Sequence, residues 1–374
     1  MSIFAVHEHD LGSLAQADRY RRLIPRNGFD FSSNDYLGLA ASSRLADAVR
    51  DALDRGIPIG SGGSRLLRGN HPEHEALETE AATLFGAEAA LFFSSGYAAN
   101  VALFSTLPQR GDLVIHDALI HASAHEGMRI GRAEQAAAAH NDVAAFADAA
   151  TRWRQRGGTG RIWLAVESLY SMDGDRAPLE DLAALAAEHD AVMLVDEAHA
   201  TGVFGPGGRG FAAELGNHDN VITLHTCGKA LGCEGALVCG PAVVRDFLIN
   251  RGRGFIFSTA PSPLMAAAVR AALQIMIDEP ERRTRLHDHI AHATRTLVPY
   301  GAAATGSQIM PIVIGNDART MAAAARLNAA GFDVRGIRPP TVAPGTARLR
   351  ISLTLNIGHD AIDALGDVLA EGRP

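Results

Sequence analysis

Val221-Ile222-Thr223-Leu224-His225-Thr226-Cys227-Gly228-Lys229-Ala230-Leu231-Gly232 is the stretch on which the reading of the chain turns. A short apolar run ends in small polar residues, and a lysine follows among further small residues. Lys229 is the only lysine among the 34 Lys and Arg residues of the 374-residue chain. Arginine stays protonated at any working pH, whereas a desolvated lysine becomes a neutral, nucleophilic amine. A single lysine kept in a small-residue loop, in a chain that otherwise draws its cations from Arg, points to amine chemistry. A solvated surface lysine or a phosphate clamp fits the same loop.

Moving outward, apolar runs recur at Ala89–Phe93, Leu113–Ile115, Ile162–Val166, Ala191–Val195, Val221–Leu224 and Gly235–Val238. Stretches with helical spacing separate them, among them His74–Phe85, a helix opened by Ser94-Ser95-Gly96-Tyr97, one starting near His121, and Leu179–His189. Strands that are apolar throughout and alternate with helices describe a buried, mostly parallel sheet. The Ala-rich residues 136–150 read as a surface helix. Near residue 265 the pattern changes to a long helical stretch, about 263–298. After it come strands near 309–314, 332–337 and 347–353, with helices at 318–330 and 359–371. The expected division is therefore an N-terminal helix and arm (1–45), a large α/β domain (46–265) and a small C-terminal α+β domain (266–374), a length that agrees with more than one core.

Hydrophobic residues at 47% and charged residues at 20% fit an ordinary globular protein. A net charge of −8 argues against general nucleic-acid binding. No apolar run reaches the roughly 18 residues a membrane span needs, and the N-terminus MSIFAVHEHD is no secretory signal, so no membrane and a cytoplasmic location are expected. Cys227, Cys233 and Cys239 lack the tight C-x2-C pair of a zinc site and fit reduced, buried thiols.

Open α/β sheets bind ligands at the carboxyl ends of their strands, and there Ser95, Glu167, Ser168, Asp196, Thr226 and Lys229 collect. Ser95-Gly96-Tyr97 places backbone N–H groups at a helix start, which suits a phosphate and suits simple capping equally well. Asp196 leaves an apolar strand, where a carboxylate needs a cation. Its neighbour His199 admits a metal reading, with His71 and His74 as further ligands. A lone amine, a carboxylate, a phosphate cradle and no P-loop together imply pyridoxal 5′-phosphate: the aldehyde needs an amine, and the ring nitrogen needs an acid to become an electron sink.

Nearly the whole chain resembles the α-oxoamine synthases, a fold-type-I pyridoxal-phosphate family. The resemblance is carried by Ser33-Asn34-Asp35-Tyr36-Leu37-Gly38-Leu39, Gly60-Ser61-Gly62-Gly63-Ser64-Arg65, Ser95-Gly96-Tyr97 and His121-Ala122-Ser123. Further matches are Ser171-Met172-Asp173-Gly174-Asp175, Asp196-Glu197-Ala198-His199-Ala200-Thr201-Gly202, Gly228-Lys229, and the C-terminal Ile337-Arg338-Pro339-Pro340-Thr341-Val342 with Gly345–Arg350. It implies an aminotransferase-like α/β fold with a large, mostly parallel seven-stranded sheet domain and a smaller α+β domain. It also implies decarboxylative condensation of an amino acid with an acyl thioester. The branch marked by the C-terminal motif implies L-alanine and a pimeloyl thioester, carried by coenzyme A or by an acyl-carrier protein.

The resemblance assigns roles to matched positions. Lys229 would anchor the cofactor and later take the α-proton. Asp196 would pair with the ring nitrogen and His121 would stack on the ring. Ser171 and His199 would bond the phenolic oxygen, Gly96 and Tyr97 would flank the cofactor, and Thr226 would bind phosphate. Arg350 would hold the amino-acid carboxylate by its bidentate fork, with Asn34 on the substrate side. Arg21, Arg338 and Thr341 would line the acyl-thioester side. Ser258 and Thr259 would reach a partner's phosphate site in a homodimer with shared active sites. Departures are a short arm between Pro25 and Phe31, Cys227 before Gly-Lys, and Cys233-Glu234 after it. Arg21, Arg22, Arg65, Arg68, Arg251 and Arg253 would offer a basic entrance to an acidic carrier. The rival readings are an α-oxoamine synthase using glycine or serine and, further off, a metal hydrolase.

Overall fold

Strands that are apolar on both sides must be covered on both faces, and this chain provides the cover by alternating strand with helix. The structure, a computed structural model, describes residues 2–216 and 219–372. It divides into two units. One comprises Leu37–Ser171 and Arg176–Arg283; the other comprises Met1–Tyr36, Met172–Asp175 and Thr284–Pro374. The strands are, in chain order, β1 (Phe29–Asp30), β2 (Ala89–Phe93), β3 (Leu113–Asp117), β4 (Glu134–Ala138), β5 (Ile162–Glu167) and β6 (Val192–Asp196). They continue as β7 (Val221–Thr226), β8 (Ala236–Gly240), β9 (Ile309–Gly315), β10 (Phe332–Asp333), β11 (Arg335–Ile337) and β12 (Ala347–Ser352).

The larger unit holds a seven-stranded sheet in the order β2-β8-β7-β6-β5-β3-β4. Strands β7, β6, β5, β3 and β4 run parallel, while β8 is antiparallel to both β7 and β2. The fold-type-I, mostly parallel seven-stranded architecture expected from the sequence is the one observed. Leu91, Val114, Ala165, Leu194, Ile222 and Val238, from six strands, pack with Leu103, Phe104 and Met128 of two helices in one buried cluster. Each large side chain so buried contributes about 1.5–3 kcal/mol of transfer free energy.

The differences from expectation are local. The Ala-rich segment expected to be a helix at 136–150 begins as β4, the edge strand, and its helix runs only over Val143–Gln155. Alanine carries little periodic signal, and pairing with β3 decides the outcome. The stretch expected as one helix over 263–298 is two, Pro263–Asp278 and Pro280–Leu297. Glu279 between them is non-helical, as expected for a residue that precedes proline, and Pro280 opens the second helix where its missing N–H costs nothing.

Four neighbouring parallel strands, β3, β5, β6 and β7, end in Asp117, Glu167, Asp196 and Thr226, all buried. Polar groups at the carboxyl ends of parallel strands mark where a ligand sits in such sheets. The lysine loop leaves β7 there. Its backbone is closed by Cys227 N–H donating to Gly235 O (2.8 Å), Gly232 N–H to Lys229 O (2.9 Å) and Cys233 N–H to Cys227 O (2.9 Å). Gly232 has φ +63°, and a Cβ there would lie 2.4 Å from Ala40 N and 2.5 Å from Leu39 C. Gly232→Ala therefore combines left-handed strain of about 1–3 kcal/mol with a backbone clash. The expected result is a lowered thermal midpoint in a melting experiment; an unchanged midpoint would show that the loop relaxes freely.

In the smaller unit, β11-β12-β9 form an antiparallel sheet with the helix Asp317–Ala329 against it, and β1 pairs in parallel with β10. The segment 332–337, expected as one strand, is split between these two sheets at Val334. No helix among the described residues is long and apolar enough to cross a membrane.

Candidate active site

Asp196 is held on both oxygens. Asn100 donates its Nδ2–H to Oδ2 at 2.7 Å, and the Ala198 backbone N–H donates to Oδ1 at 2.9 Å. The same Asn100 amide donates to Ser123 Oγ at 3.0 Å, and that hydroxyl lies 2.7 Å from His121 Nδ1. A buried chain of polar groups thus joins Asp196 on β6 to His121, the N-cap of the helix Ala122–Ile130. Desolvation holds the His121 imidazole below its ordinary value; the Asp196 charge opposes that fall and the Lys229 charge adds to it. The charge of half-buried Lys229 acts on both His121 and Glu167. Lys229, Asp196 and His121 are therefore close enough to feel one another's charge.

Asn100 and Ser123 were not singled out from the sequence as functional. The signal for Asn100 is that it is a polar residue in the apolar run Ala98-Ala99-Asn100-Val101-Ala102-Leu103-Phe104. A buried amide in such a helix needs partners, and it finds them in Asp196 and Ser123.

Glu167 ends β5 directly beside Asp196, its register partner on β6. Its Oε2 accepts from Ser171 N–H at 3.2 Å, while Oε1 is buried with no hydrogen-bond partner among the described residues. Burial, and next the Asp196 charge, push its carboxyl up to about 8. Glu197, the residue after Asp196, faces away into structure: Ser168 Oγ–H donates to it at 2.6 Å, Phe211 N–H at 3.2 Å and Ala212 N–H at 2.5 Å. Burial raises this carboxyl to about 7 against those bonds. His199 is buried in the turn after β6.

Ser95 caps the helix Gly96–Thr106, its Oγ accepting Ala98 N–H at 3.1 Å. Capping and anion binding are compatible here, because the first N–H groups of a helix have no partner within it. Gly96 lies beside Thr226, whose Oγ1 would be 3.5 Å from a Cβ at Gly96. A helix start and a hydroxyl therefore converge as a phosphate would require. Tyr97 is 52% exposed, and Ser258 and Thr259 are exposed, with Ser258 Oγ–H donating to Gly254 O at 2.7 Å.

His71 and His74, weighed as metal ligands, have another task. They form a reciprocal cap on the helix Pro72–Phe85, and His74 Nε2 lies 2.8 Å from Pro261 O. Among the described residues no group of three or more His, Cys, Asp or Glu side chains is arranged to hold a metal ion. Arg65, counted toward a basic entrance, is instead tucked into a bidentate pair with Glu78 (2.7 and 3.0 Å), which also accepts Phe92 N–H. It pins the glycine-rich loop; Arg68, Arg251 and Arg253 remain exposed.

In the smaller unit a second set of residues gathers. Arg350 is buried, and its guanidinium is oriented by Ser352 Oγ (2.8 Å), Asn34 Oδ1 (3.1 Å) and Tyr36 OH (3.4 Å). Arg21 donates to Thr341 Oγ1 at 3.1 Å, and Arg338 donates to Asp18 O. Desolvation, then the neighbouring Arg21 charge, lowers Arg338. Two guanidiniums that feel each other's charge make a natural place for an anion.

The donor set of the larger unit fits pyridoxal phosphate: an amine, a carboxylate fixed on both oxygens, an imidazole, and a helix start beside a hydroxyl. The sequence profile of the family described as Aminotransferase class I and II matches residues 26–364. The chain is 45% identical over 341 residues to the 8-amino-7-oxononanoate synthase of Anaeromyxobacter dehalogenans (strain 2CP-1), covering 90% of this chain and 84% of the relative. It is 42% identical to that of Chromobacterium violaceum, covering 92% and 89%. Among solved structures, a lysine-to-alanine variant of serine palmitoyltransferase from S. paucimobilis with a bound pyridoxal phosphate–myriocin aldimine aligns with a TM-score of 0.91 at 26% identity, covering 100% and 99%. The 8-amino-7-oxononanoate synthase of Francisella tularensis aligns with a TM-score of 0.77 at 27% identity, covering 92% and 97%. The chain belongs to the class I and II aminotransferase family of pyridoxal-phosphate enzymes and, within it, to the branch of the 8-amino-7-oxononanoate synthases.

Proposed function

We propose that the chain condenses L-alanine with a pimeloyl thioester, releasing CO2 and the free thiol carrier and forming 8-amino-7-oxononanoate, a step of biotin biosynthesis. The observation that carries this reading is 45% identity over most of both chains to a relative bearing that activity in its name. The structural likeness to serine palmitoyltransferase favours a second reading, with serine as the amino acid and another acyl group, but the identity there is only 26%.

Bound pyridoxal phosphate supplies an aldehyde for amines and a ring that draws off electron density. The chain's residues do the rest. Lys229 Nζ would anchor the cofactor, and its free amine would take up the α-proton of the substrate as general base. Asp196, its oxygens held by Asn100 and Ala198, would pair with the ring nitrogen. His121 would stack on the ring, and Ser171 and His199 would bond its phenolic oxygen. Gly96 and Tyr97 would flank the cofactor, and Thr226, with the helix start, would take its phosphate. Arg350, with Asn34, holds the carboxylate of alanine in a bidentate fork, while Arg21, Arg338 and Thr341 receive the acyl thioester. Ser258 and Thr259, exposed in the protomer, complete the phosphate site of a second copy in a homodimer. The thiol carrier is coenzyme A or an acidic carrier protein, the latter drawn to Arg68, Arg251 and Arg253.

Purified protein loaded with pyridoxal phosphate, given each of alanine, glycine and serine with pimeloyl-coenzyme A and palmitoyl-coenzyme A, tests the assignment. Product from alanine and the pimeloyl thioester is expected. Turnover confined to glycine or serine would overturn it.

A further inference from the structure

Glu167 is a buried acid that the proposed mechanism does not use. Parallel register places it beside Asp196, so two carboxyl groups leave adjacent strands side by side. They are treated unequally. Asp196 receives a donor on each oxygen. Glu167 receives one backbone donor, at 3.2 Å, and its Oε1 is buried with no partner among the described residues. The charged groups around it are Asp196 on β6, Lys229 on the loop after β7, and Asp117 at the end of β3, the other strand flanking β5. Two carboxylates and one lysine in this space would leave a buried charge without compensation, which is costly.

We propose that Glu167 is a positioning residue that works as a neutral acid, leaving Asp196 to carry the pair's single negative charge so that one carboxylate, not two, faces the amine of Lys229. A second negative charge would hold Lys229 as its ammonium form, which can neither attack an aldehyde nor accept a proton. Glu167 therefore acts on the amine through its proton. The position of its carboxyl, pushed up to about 8 by burial and by Asp196, agrees with this state at neutral pH. The sign follows: the folded state holds a proton that the unfolded chain releases above its ordinary value of 4.5, so the stability associated with this group falls as pH rises from 4.5 to about 8.

The inference rests on the cofactor site proposed above, and its test separates the two. In full-length protein, cofactor-free and loaded, infrared difference spectra between neutral and alkaline pH should show a protonated-carboxyl stretch that disappears with rising pH in wild type and is reduced in Glu167→Gln, the remainder belonging to Glu197, whose carboxyl burial raises to about 7. Absence of that band in wild type, or a band that Glu167→Gln leaves unchanged, overturns the proposal. The second readout is the rate of pyridoxal phosphate uptake. Wild type and Glu167→Gln should match at pH 7, and wild type should fall several-fold below the variant by pH 9, where Glu167 is ionised. A ratio that does not change with pH means a merely structural role and overturns the proposal. Failure of wild type to take up the cofactor at any pH would instead refute the site itself, and the infrared band would still report on Glu167.

Discussion

Lys229→Arg is expected to keep the positive charge of the loop and lose turnover by at least about 10³-fold, inside the range that a positioned general base supplies. The substitution isolates amine chemistry from electrostatics. A guanidinium stays charged and fits a phosphate or carboxylate as well as an ammonium does, but it neither attacks an aldehyde nor accepts a proton near neutral pH. Lys229 is half-buried, and the three hydrogen bonds that close its loop are all made by backbone groups, so the substitution leaves them in place. The loop should survive, and the melting midpoint should stay near wild type. Two measurements check this: steady-state turnover with alanine and the pimeloyl thioester, and borohydride trapping of pyridoxal phosphate followed by peptide mapping. Label on the peptide holding residue 229 is expected in wild type and not in the variant. A Lys229→Arg enzyme with near-normal turnover would end the amine reading, and with it the proposed role of the only lysine in the chain.

How much of this was legible before the structure depends on the reach of the physics involved. The apolar strands were legible because a strand buried on both faces has no alternation to blur, and β2, β3, β5, β6, β7 and β8 all stand where their apolar runs stand. Strand β4 was not legible, since Glu134–Ala138 is alanine-rich and mostly exposed to solvent, and only its partner makes it a strand. Lys229 and Asp196 announced themselves through composition and through cost of burial. Asn100 did not, because its meaning depends on a carboxylate 96 residues away. The partnership of Glu167 with Asp196 depends on which strands are neighbours, and strand order is a property of the sheet rather than of either segment. Arg65 failed in the opposite direction. A cation counted by its sequence neighbourhood as part of a basic surface is consumed by Glu78, whose carboxylate also takes the Phe92 amide.

The second large effect is expected at Asp196. Asp196→Asn removes one charge and replaces one acceptor by a donor, in a place where both oxygens are already acceptors. Either orientation of the new amide sets its NH2 against an N–H, of Asn100 or of Ala198, so a buried donor is left unpaired at about 1–3 kcal/mol. Some loss of thermal stability is therefore expected from geometry alone. The loss of activity should be larger in kind, because the proposed counter-charge to the ring nitrogen is gone. Removing one preorganised electrostatic group from an active site typically costs about 10²–10³-fold in turnover. Asn100→Ala separates the two contributions: it strips the 2.7 Å donor and the link to Ser123 and His121, yet leaves the charge in place. If Asp196 acts as charge, Asp196→Asn should lose far more turnover than Asn100→Ala at comparable loss of melting temperature, and added pyridoxal phosphate should restore neither rate fully. If the two variants fall equally in both measurements, Asp196 is no more than one member of a buried hydrogen-bond network, and the ring nitrogen must find its partner elsewhere.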